Sequence, residues 1–363
     1  MARKPVHTVT QREIAQSLGI HQTTVSAILS GKGERFPEEM HRRVKEAARR
    51  LGYRPSASAR ALRGVRSGLI GVLHFGRSKD TESHRLHEIV SAIHRQGYGP
   101  LAMPMASRVM WLKKDEVSAC TVMLDARVEG LVISGFADDF DLEQLERFRE
   151  MRIPTVAVAG VKLPGIPQVA EDRAQALYDM TSHLIAQGRR RIICLHRWPT
   201  GNTGFSSTMA QAAAEGFRRA AGEHHLSAQE AIFHLHPALI HSGMNAFQAG
   251  ENAIREVWES GARPEAVICY DDSWAVGVYH YCSRHGIRIP DDLAVVGFEN
   301  QEIGNFLDPH LTTLSLPLKA MGTKALEWLT AAIRNPVAPR LAEEKVLLPC
   351  ELVVRESCGA ARA

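Results

Sequence analysis

The chain has 363 residues, 45% of them hydrophobic, and its six cysteines form no CxxC pair. This composition supports large buried cores and reduced thiols in a cytoplasmic protein, and it argues against a disordered chain. No apolar run reaches the roughly 18 residues of a membrane helix, and the first residues contain no apolar signal core. We therefore predict a protein that is neither secreted nor bound to a membrane.

The net charge of +4 is unevenly distributed along the chain. Residues 1–66 contain 14 Lys or Arg against 5 Asp or Glu, a net charge of +9. Residues 67–363 contain 30 against 35, a net charge of −5. A basic segment beside a slightly acidic body is typical of a nucleic-acid-binding head. A solvated basic surface with no partner would carry the same charge, so the sequence motifs have to separate these two interpretations.

The first two predicted helices are short and are separated by a glycine turn. Thr10-Gln-Arg-Glu13 has the form of a capping box, Ile14 and Leu18 follow one helical turn apart, and Gly19 is a natural helix stop. The second helix begins about three residues later. Two short helices at this spacing are the signature of a helix-turn-helix.

The second helix lies in the stretch IHQTTVSAILSG, residues 20–31, and has two different faces. Its inward residues on a helical wheel are Val25, Ile28 and Leu29, and its outward residues are Thr23, Ala27 and Ser30. Small polar side chains near the N-terminal end of such a helix suit the major groove, where they can bond to phosphates or base edges. A solvated helix face is the alternative interpretation.

A third helix is predicted within FPEEMHRRVKEAARRLGY, with acidic residues in its first turn and basic residues in its last. The stretch YRPSASARALRG follows, and Pro55 breaks the chain there. A short helix running to Leu62 would be unstable alone. Its single large apolar residue, between Arg60 and Arg63, suits insertion into the minor groove. A plain linker is the alternative.

From residue 68 onward, short apolar runs alternate with amphipathic stretches. The predicted strands are GLIGVLHF, GLVIS, TVAVAG, RIICLH, AIFHL, AVICY and LAVVGF. Helical patterns lie between them, so the sequence predicts an α/β body of two doubly wound parallel sheets. Ligands in such folds bind beyond the carboxyl ends of the strands.

The head and body together resemble the LacI/GalR family of bacterial transcription regulators. The matching stretches are VTQREIAQSLGI, TTVSAIL, RRVKEAARRLGYRPSASARALR, GLIGVL, DDSWAVG, GIRIPDDLAVVGFEN and LTTLSLP. The resemblance implies a small all-α helix-turn-helix head followed by an α/β core of periplasmic-binding-protein type, with two lobes around an effector cleft. It also implies a homodimeric repressor that binds palindromic double-stranded operator DNA and responds to a small molecule.

By resemblance, Gln22, Thr23 and Ala27 occupy base-reading positions, whereas Thr24 and Ser26 contact phosphates. The complete set of implied DNA contacts is Thr10, His21, Gln22, Thr23, Thr24, Ser26, Ala27, Ser30, Tyr53, Ser56, Ala59, Arg60 and Leu62.

Two of these positions depart from the family pattern, and four belong to the predicted hinge (Ser56, Ala59, Arg60 and Leu62). Tyr53 and Ser56 would brace the DNA backbone, and Leu62 would be the intercalating wedge. Ala27 replaces a long polar side chain, and His21 replaces a small hydroxyl. Alanine can contact a thymine methyl group but cannot donate a hydrogen bond to guanine, so the family pattern does not give the operator sequence.

The resemblance also implies the domain organisation. The predicted domains are a helix-turn-helix domain over residues 1–54, a hinge helix and linker over 55–67, and an effector-binding core over 68–363. Within the core, the predicted N-lobe comprises residues 68–162 and 299–322, and the predicted C-lobe comprises 163–298 and 323–363. The predicted crossings between lobes lie near 161–164, 299 and 320–325.

The predicted effector contacts are Phe75, Arg197, Trp198, Asp271 and Glu299. Asp271 and Glu299 occupy positions at which the family holds ligand hydroxyls, although Asp is usual at the second. A family arginine that clamps the ligand is replaced by Ala213, and Arg197 and Trp198 in the loop after RIICLH would compensate. The stretch FENQEIG resembles gluconate-type members, so we expect a sugar or sugar acid. A nucleobase effector, or none, is the alternative.

Two other function classes fit parts of the chain. A solute-binding protein of a transport system would have such a body, but not the basic head. An enzyme is disfavoured because no GxSxG, HExxH or P-loop pattern is present. Histidine pairs such as His84 and His87 have no carboxylate or cysteine that completes a ligand set. We therefore predict no metal site and no cofactor.

Overall fold

The structure of the protein is a computed structural model that describes most of the chain. The described residues are 9–53, 66–75, 80–105, 119–135, 142–160, 163–197, 204–227, 230–236, 245–335 and 344–360. The predicted site residues Ser56, Ala59, Arg60, Leu62 and Trp198 lie outside them. Contacts divide the chain into two units, Met1–Ser67 and Gly68–Ala363.

The described part of the first unit contains three helices, α1 (Gln11–Leu18), α2 (Gln22–Leu29) and α3 (Glu38–Arg50). The predicted capping box at α1 is confirmed. The Thr10 hydroxyl accepts from the Glu13 N–H at 3.3 Å, and the Thr10 N–H donates to Glu13 Oε2 at 2.7 Å. Gly19 ends α1 with a φ of 63°, a left-handed conformation that glycine adopts without strain.

One small apolar cluster holds the three helices together. Ile14 of α1, Val25 and Ile28 of α2, and Val44 of α3 are all buried in it. Leu29 packs against the edge of this cluster and is only half-buried. The inward face predicted for α2 is therefore confirmed, because its apolar spacing matches the helical period.

The second unit contains two parallel sheets and a short antiparallel pair. The first sheet has the strand order β11-β5-β4-β3-β1-β2. Its strands are β1 (Leu69–Phe75), β2 (Gly99–Met105), β3 (Gly130–Gly135), β4 (Thr155–Val158), β5 (Gln168–Glu171) and β11 (Lys345–Leu348). The helices that belong with it are α4 (Asp80–Arg95), α5 (Ala119–Asp125), α6 (Leu142–Glu150) and α11 (Leu318–Arg334). This sheet and its helices are called the first lobe below.

The second sheet has the strand order β7-β6-β8-β9. Its strands are β6 (Ile192–Arg197), β7 (Ala231–His236), β8 (Ala266–Ile268) and β9 (Ala294–Val296). The helices that belong with it are α7 (Arg173–Ala186), α8 (Gly204–Glu223), α9 (Ala246–Glu259) and α10 (Asp272–His285). This second lobe also includes the antiparallel pair β10 (Thr313–Ser315) and β12 (Glu351–Val353), and 3-10 turns at Glu302–Asn305 and Glu356–Cys358.

The alternation of strands and helices predicted from the sequence is confirmed. Its apolar runs are continuous because these strands are covered on both faces, and every residue of β3 is buried. Among the described helices, none is long and apolar enough to cross a membrane.

The strand pairing contradicts the predicted lobe boundaries. β5 pairs with β4 in the first sheet, so the first crossing comes after Glu171 and not near 161–164. Helix α11 packs on the first sheet, which places the second crossing at 316–318 and not near 299. β11 pairs with β5, so the third crossing lies at 349–350 and not near 320–325. The predictions were wrong because β5 and β11 have four residues each, and such short runs do not specify which sheet they join.

Helices α9 and α10 pack at close range through two glycines. A Cβ on Gly277 would lie 2.0 Å from the carbonyl oxygen of Phe247, and one on Gly250 would lie 2.1 Å from that of Trp274. Only glycine allows this approach, since real Cβ atoms do not come so near to other heavy atoms. The packing fixes the N-terminus of α10, where Asp271, Asp272 and Ser273 lie.

Candidate functional site

In the head, α2 presents its N-terminal end to solvent. His21, Gln22 and Thr23 are exposed, whereas Val25 and Ile28 on the opposite face are 0% and 3% exposed. Of the other predicted DNA contacts on or beside α1 and α2, Thr10 and Ser30 are exposed, and Thr24, Ser26 and Ala27 are half-buried. The structure thus places the predicted reading positions Gln22 and Thr23 on the accessible side of a helix whose other side is anchored, whereas Ala27 is only partly accessible.

His21 caps α2, which explains how the helix tolerates it in place of a small hydroxyl. Its Nδ1 lies 3.4 Å from the Thr23 backbone nitrogen, whose N–H donates to it. The Thr23 hydroxyl lies 2.7 Å from the same Nδ1. A ring nitrogen therefore supplies the acceptor that an N-cap needs. While the Thr23 hydroxyl donates to this nitrogen, it can bond to a base only as an acceptor.

Tyr53 follows α3 and is half-buried against the apolar cluster of the head. Its backbone N–H donates to the carbonyl of Ala48 at 2.9 Å. This contact holds the chain end from which the predicted hinge continues.

In the second unit, Glu299 joins the two lobes. Its Oε2 accepts from the Thr81 hydroxyl at 2.8 Å and from Gln301 Nε2 at 2.8 Å. Thr81 lies in the first turn of α4 in the first lobe, and Glu299 follows β9 in the second. The residue predicted to hold an effector hydroxyl thus bonds to a hydroxyl of the protein itself.

The two aspartates at the start of α10 have different contacts. Asp271 is the N-cap and accepts from the Trp274 N–H at 2.9 Å. Asp272 accepts from the Thr313 hydroxyl at 2.6 Å and from the Gln301 N–H at 2.6 Å. Burial raises the pKa of Asp272 to about 8, although these hydrogen bonds act in the opposite direction. The predicted effector role of Asp271 stays a prediction.

Polar groups also lie at the carboxyl ends of β1 and β3. The predicted contact Phe75 ends β1 and packs, half-buried, against the core of the first lobe. One residue earlier, His74 Nδ1 lies 3.3 Å from the hydroxyl oxygen of Ser134. Burial, and then the positive charge of Arg85, lowers the pKa of His74 to about 4, so the imidazole is neutral near pH 7.

In the second lobe, Arg197 is the last residue of β6. Ala213 is 1% exposed within the apolar core of this lobe. A side chain at that position of α8 points into packed protein. Next to Arg197 in sequence, His196 meets Tyr270 edge to face with 4.8 Å between ring centroids.

Sequence reasoning missed Thr81, Asp272 and Gln301, which complete the contacts around Glu299. The Asp271–Asp272 doublet was a visible signal, but only its first residue received a role. Thr81 had no signal, because its contact with Glu299 joins residues 218 positions apart.

Comparisons with known proteins cover both units. A model of the periplasmic binding protein-like domain matches residues 181–358. The transcriptional regulator DegA of Bacillus subtilis is 26% identical over 349 residues, which are 95% of this chain and 96% of that protein. The repressor PurR of Vibrio atlanticus is 27% identical over 328 residues, 90% and 92% of the two chains. The repressor CytR of Escherichia coli is 24% identical over 361 residues, 99% of each.

Solved structures share the fold. The lac repressor dimer bound to operator and the anti-inducer ONPF has a TM-score of 0.79 and 21% identity, and the match covers 98% of this chain and 100% of that one. A complex of the transcriptional regulator CelR with cellobiose has a TM-score of 0.66 and 20% identity, with 96% and 99% covered. The predicted architecture, helices followed by two parallel-sheet lobes, is confirmed.

Proposed function

Since the chain is a transcription regulator of the LacI family with a periplasmic-binding-protein-like core, we propose that it represses transcription as a homodimer on palindromic operator DNA. It would act in the cytoplasm, and a small molecule bound between the two lobes would control it. Effector binding would shift the population between states of high and low operator affinity.

The observation that carries the DNA-binding proposal is the exposed N-terminal end of α2. His21, Gln22 and Thr23 are accessible there, while Val25 and Ile28 anchor the helix from behind. A recognition helix reads base edges with its N-terminal residues. The net charge of +9 over residues 1–66 supplies attraction to phosphates.

A solute-binding protein is disfavoured because the regulators similar to this chain match it over 90% to 99% of its length, head included. A transport protein would be similar over the core alone. The same relatives are regulators and not enzymes, which agrees with the lack of a readable catalytic pattern.

Selection from fragmented genomic DNA of the source organism tests the proposal directly. The purified full chain should enrich fragments that share one inverted repeat, with half-sites about one helical turn apart or at a multiple of it. A Gln22→Ala variant should enrich the repeat less, whereas Gln16→Ala, at an exposed position of α1, should enrich it as well as the original chain. Recovery of random fragments only would contradict sequence-specific binding.

For the effector we propose a sugar or sugar acid. Polar side chains of Glu299, Asp271 and the His74–Ser134 pair lie near the carboxyl ends of strands, where this fold class binds ligands. The ring pair His196–Tyr270 adds an aromatic wall on the second lobe. Such a wall also suits a flat nucleobase, which is the second candidate.

A thermal-shift screen of sugars, sugar acids and nucleobases separates these candidates. A ligand that binds the folded state raises the melting temperature by mass action, by an amount that grows with ligand concentration. A rise with a sugar acid supports the first candidate, and a rise with a nucleobase alone supports the second. No rise with any compound would contradict an effector of these classes.

A further inference from the structure

A continuous series of side-chain hydrogen bonds crosses from the first lobe to the second. The Thr81 hydroxyl of α4 donates to Glu299 Oε2 at 2.8 Å, and Gln301 Nε2 donates to the same oxygen at 2.8 Å. The hydroxyl of Ser273 in α10 then donates to Gln301 Oε1 at 2.9 Å. We call these four residues, Thr81, Glu299, Gln301 and Ser273, the interlobe chain.

The surroundings of the interlobe chain make its hydrogen bonds strong. Thr81 is 3% exposed and Gln301 is 5% exposed. Glu299 and Ser273 are half-buried. The two groups that donate to Glu299 are therefore shielded from water, and a carboxylate binds its donors more tightly than a neutral acceptor does.

The backbone at the centre of the interlobe chain is strained. Glu299 has a φ of 99° and Asn300 a φ of 50°, a region that non-glycine residues rarely adopt. Hydrogen bonds hold this conformation: Glu299 N–H donates to Leu314 O at 2.8 Å, and Asn300 Oδ1 accepts from Arg355 at 2.9 Å. The Gln301 N–H adds its bond to Asp272. When one of these hydrogen-bond partners is lost, the strained backbone can relax, so the segment can change conformation.

The length of Glu299 is what allows the contact with Thr81. Aspartate is shorter by one C–C bond of about 1.5 Å. With the backbone fixed, its carboxylate would lie well beyond hydrogen-bonding distance of the Thr81 hydroxyl. The substitution of glutamate at this position therefore creates a link between lobes.

We propose that the interlobe chain is a latch that holds the two lobes together when no effector is bound. In the regulatory scheme this rests on the proposed function: an effector hydroxyl that takes the place of Thr81 on Glu299 Oε2 would open the latch. The effector and Thr81 would then compete for Oε2, and the latch sets the resting position of the cleft.

Amide hydrogen exchange of the full chain, without DNA or effector, tests the latch. Thr81→Val removes the hydroxyl but keeps the side-chain shape. We expect exchange to rise about tenfold, equivalent to about 1.4 kcal/mol, at amides 297–302 in the second lobe as well as around residue 81. Thr81→Ser, which keeps the hydroxyl, should retain the original rates, and so should Ser83→Ala at an exposed position of the same helix.

Glu299→Asp tests the same Thr81–Glu299 contact from the second lobe. It replaces the first test if Thr81→Val folds poorly. It should raise exchange in the first turn of α4, and combining it with Thr81→Val should add little further, since both changes break one contact. Unchanged exchange across the cleft in both single variants, or full additivity, would overturn the latch. The experiment uses no DNA, so its failure would leave the operator proposal standing, and failure of the DNA selection would leave the latch standing.

Discussion

At α2 of the head, individual side chains divide between those that anchor the helix and those that are exposed to solvent. This division was predictable because it follows from helical period alone: Val25 and Ile28 point inward and Thr23 points outward. The His21–Thr23 contact was not predictable, since histidine is not among the usual capping residues. The half-buried Ala27 offers only a methyl group at a reading position.

Replacing Ala27 should therefore change which operators bind. Ala27→Arg places a bidentate donor where guanine can be read, and we expect selection from a random operator library to yield a different consensus, enriched in guanine at one position of each half-site. Gln16→Arg adds the same charge at an exposed position of α1 and should raise affinity without changing the consensus. Identical consensus sequences for Ala27→Arg and the original chain would show that α2 docks differently.

Asp272 carries a prediction about pH. Its pKa in the folded state is raised by burial to about 8 from an ordinary 3.8. The folded protein thus holds a proton that the unfolded chain releases, so this group's contribution to stability is full below about pH 4 and is lost as the pH rises toward about 8. Asp272→Asn stays neutral throughout and should show a flatter dependence. Urea unfolding of both proteins across this range measures it, and a constant difference between them would contradict the assignment.

Among the secondary-structure elements, strands with long apolar runs were predictable and the short strands β5 and β11 were not. The run GLIGVLHF has enough buried β-branched and apolar residues to specify β1 by itself. β5 (Gln168–Glu171) is placed by pairing with β4 and with β11 (Lys345–Leu348), which comes more than 170 residues later in the sequence. Lobe membership depends on such pairing, and for this reason the boundaries were the part of the fold that failed.

The α9–α10 pair provides an element-scale test of packing. Gly277→Ala would bring a Cβ to 2.0 Å from the Phe247 carbonyl oxygen, and we expect a loss of about 1–3 kcal/mol or more in the free energy of unfolding, as for other overpacked sites. A Cβ added at Gly222 in α8 would meet no atom within 4 Å beyond the backbone of its own helix. Gly222→Ala should therefore be neutral or raise the free energy of unfolding by up to about 1 kcal/mol. Urea denaturation compares them, and equal stability of the two variants would refute the close packing.

The hinge segment is an element whose function we infer from sequence, since Leu62 lies outside the described residues. If Leu62 is a minor-groove wedge, Leu62→Ala should weaken operator binding strongly because the inserted apolar surface is lost. The thermal shift produced by an identified effector should not change. Equal operator affinity in the variant and the original chain, measured by fluorescence anisotropy, would remove the wedge from the mechanism.

For the whole molecule, the positions of Phe75 and Glu299 at strand ends were predictable, but the contacts of Glu299 were not. An α/β core binds ligands at the carboxyl ends of its strands. Phe75 ends β1 and Glu299 follows β9, and their role in effector binding stays a prediction. The partner of Glu299 was not found, because Thr81 approaches it only after two lobes have folded and met. Contacts of this kind depend on the tertiary structure, which no local pattern encodes.

The separation of charge between head and core has a measurable consequence. A head with a net charge of +9 should release counterions when it binds DNA, and log K should fall with log salt by about 0.9 for each phosphate neutralised. With about 6–10 phosphate contacts, raising salt from about 50 to about 200 mM should lower operator affinity by about 10³–10⁵. Anisotropy titrations across this range give the slope.

Variants locate the origin of that slope. Lys32→Gln removes an exposed positive charge of the head, and where Lys32 contacts a phosphate the slope should become shallower by about one unit. Arg284→Gln removes an exposed charge from α10 of the core and should leave the slope as it was. A near-zero slope in the original chain, or a slope that responds to Arg284 and to no positive residue of the head, would mean that the core and not the head neutralises the DNA backbone.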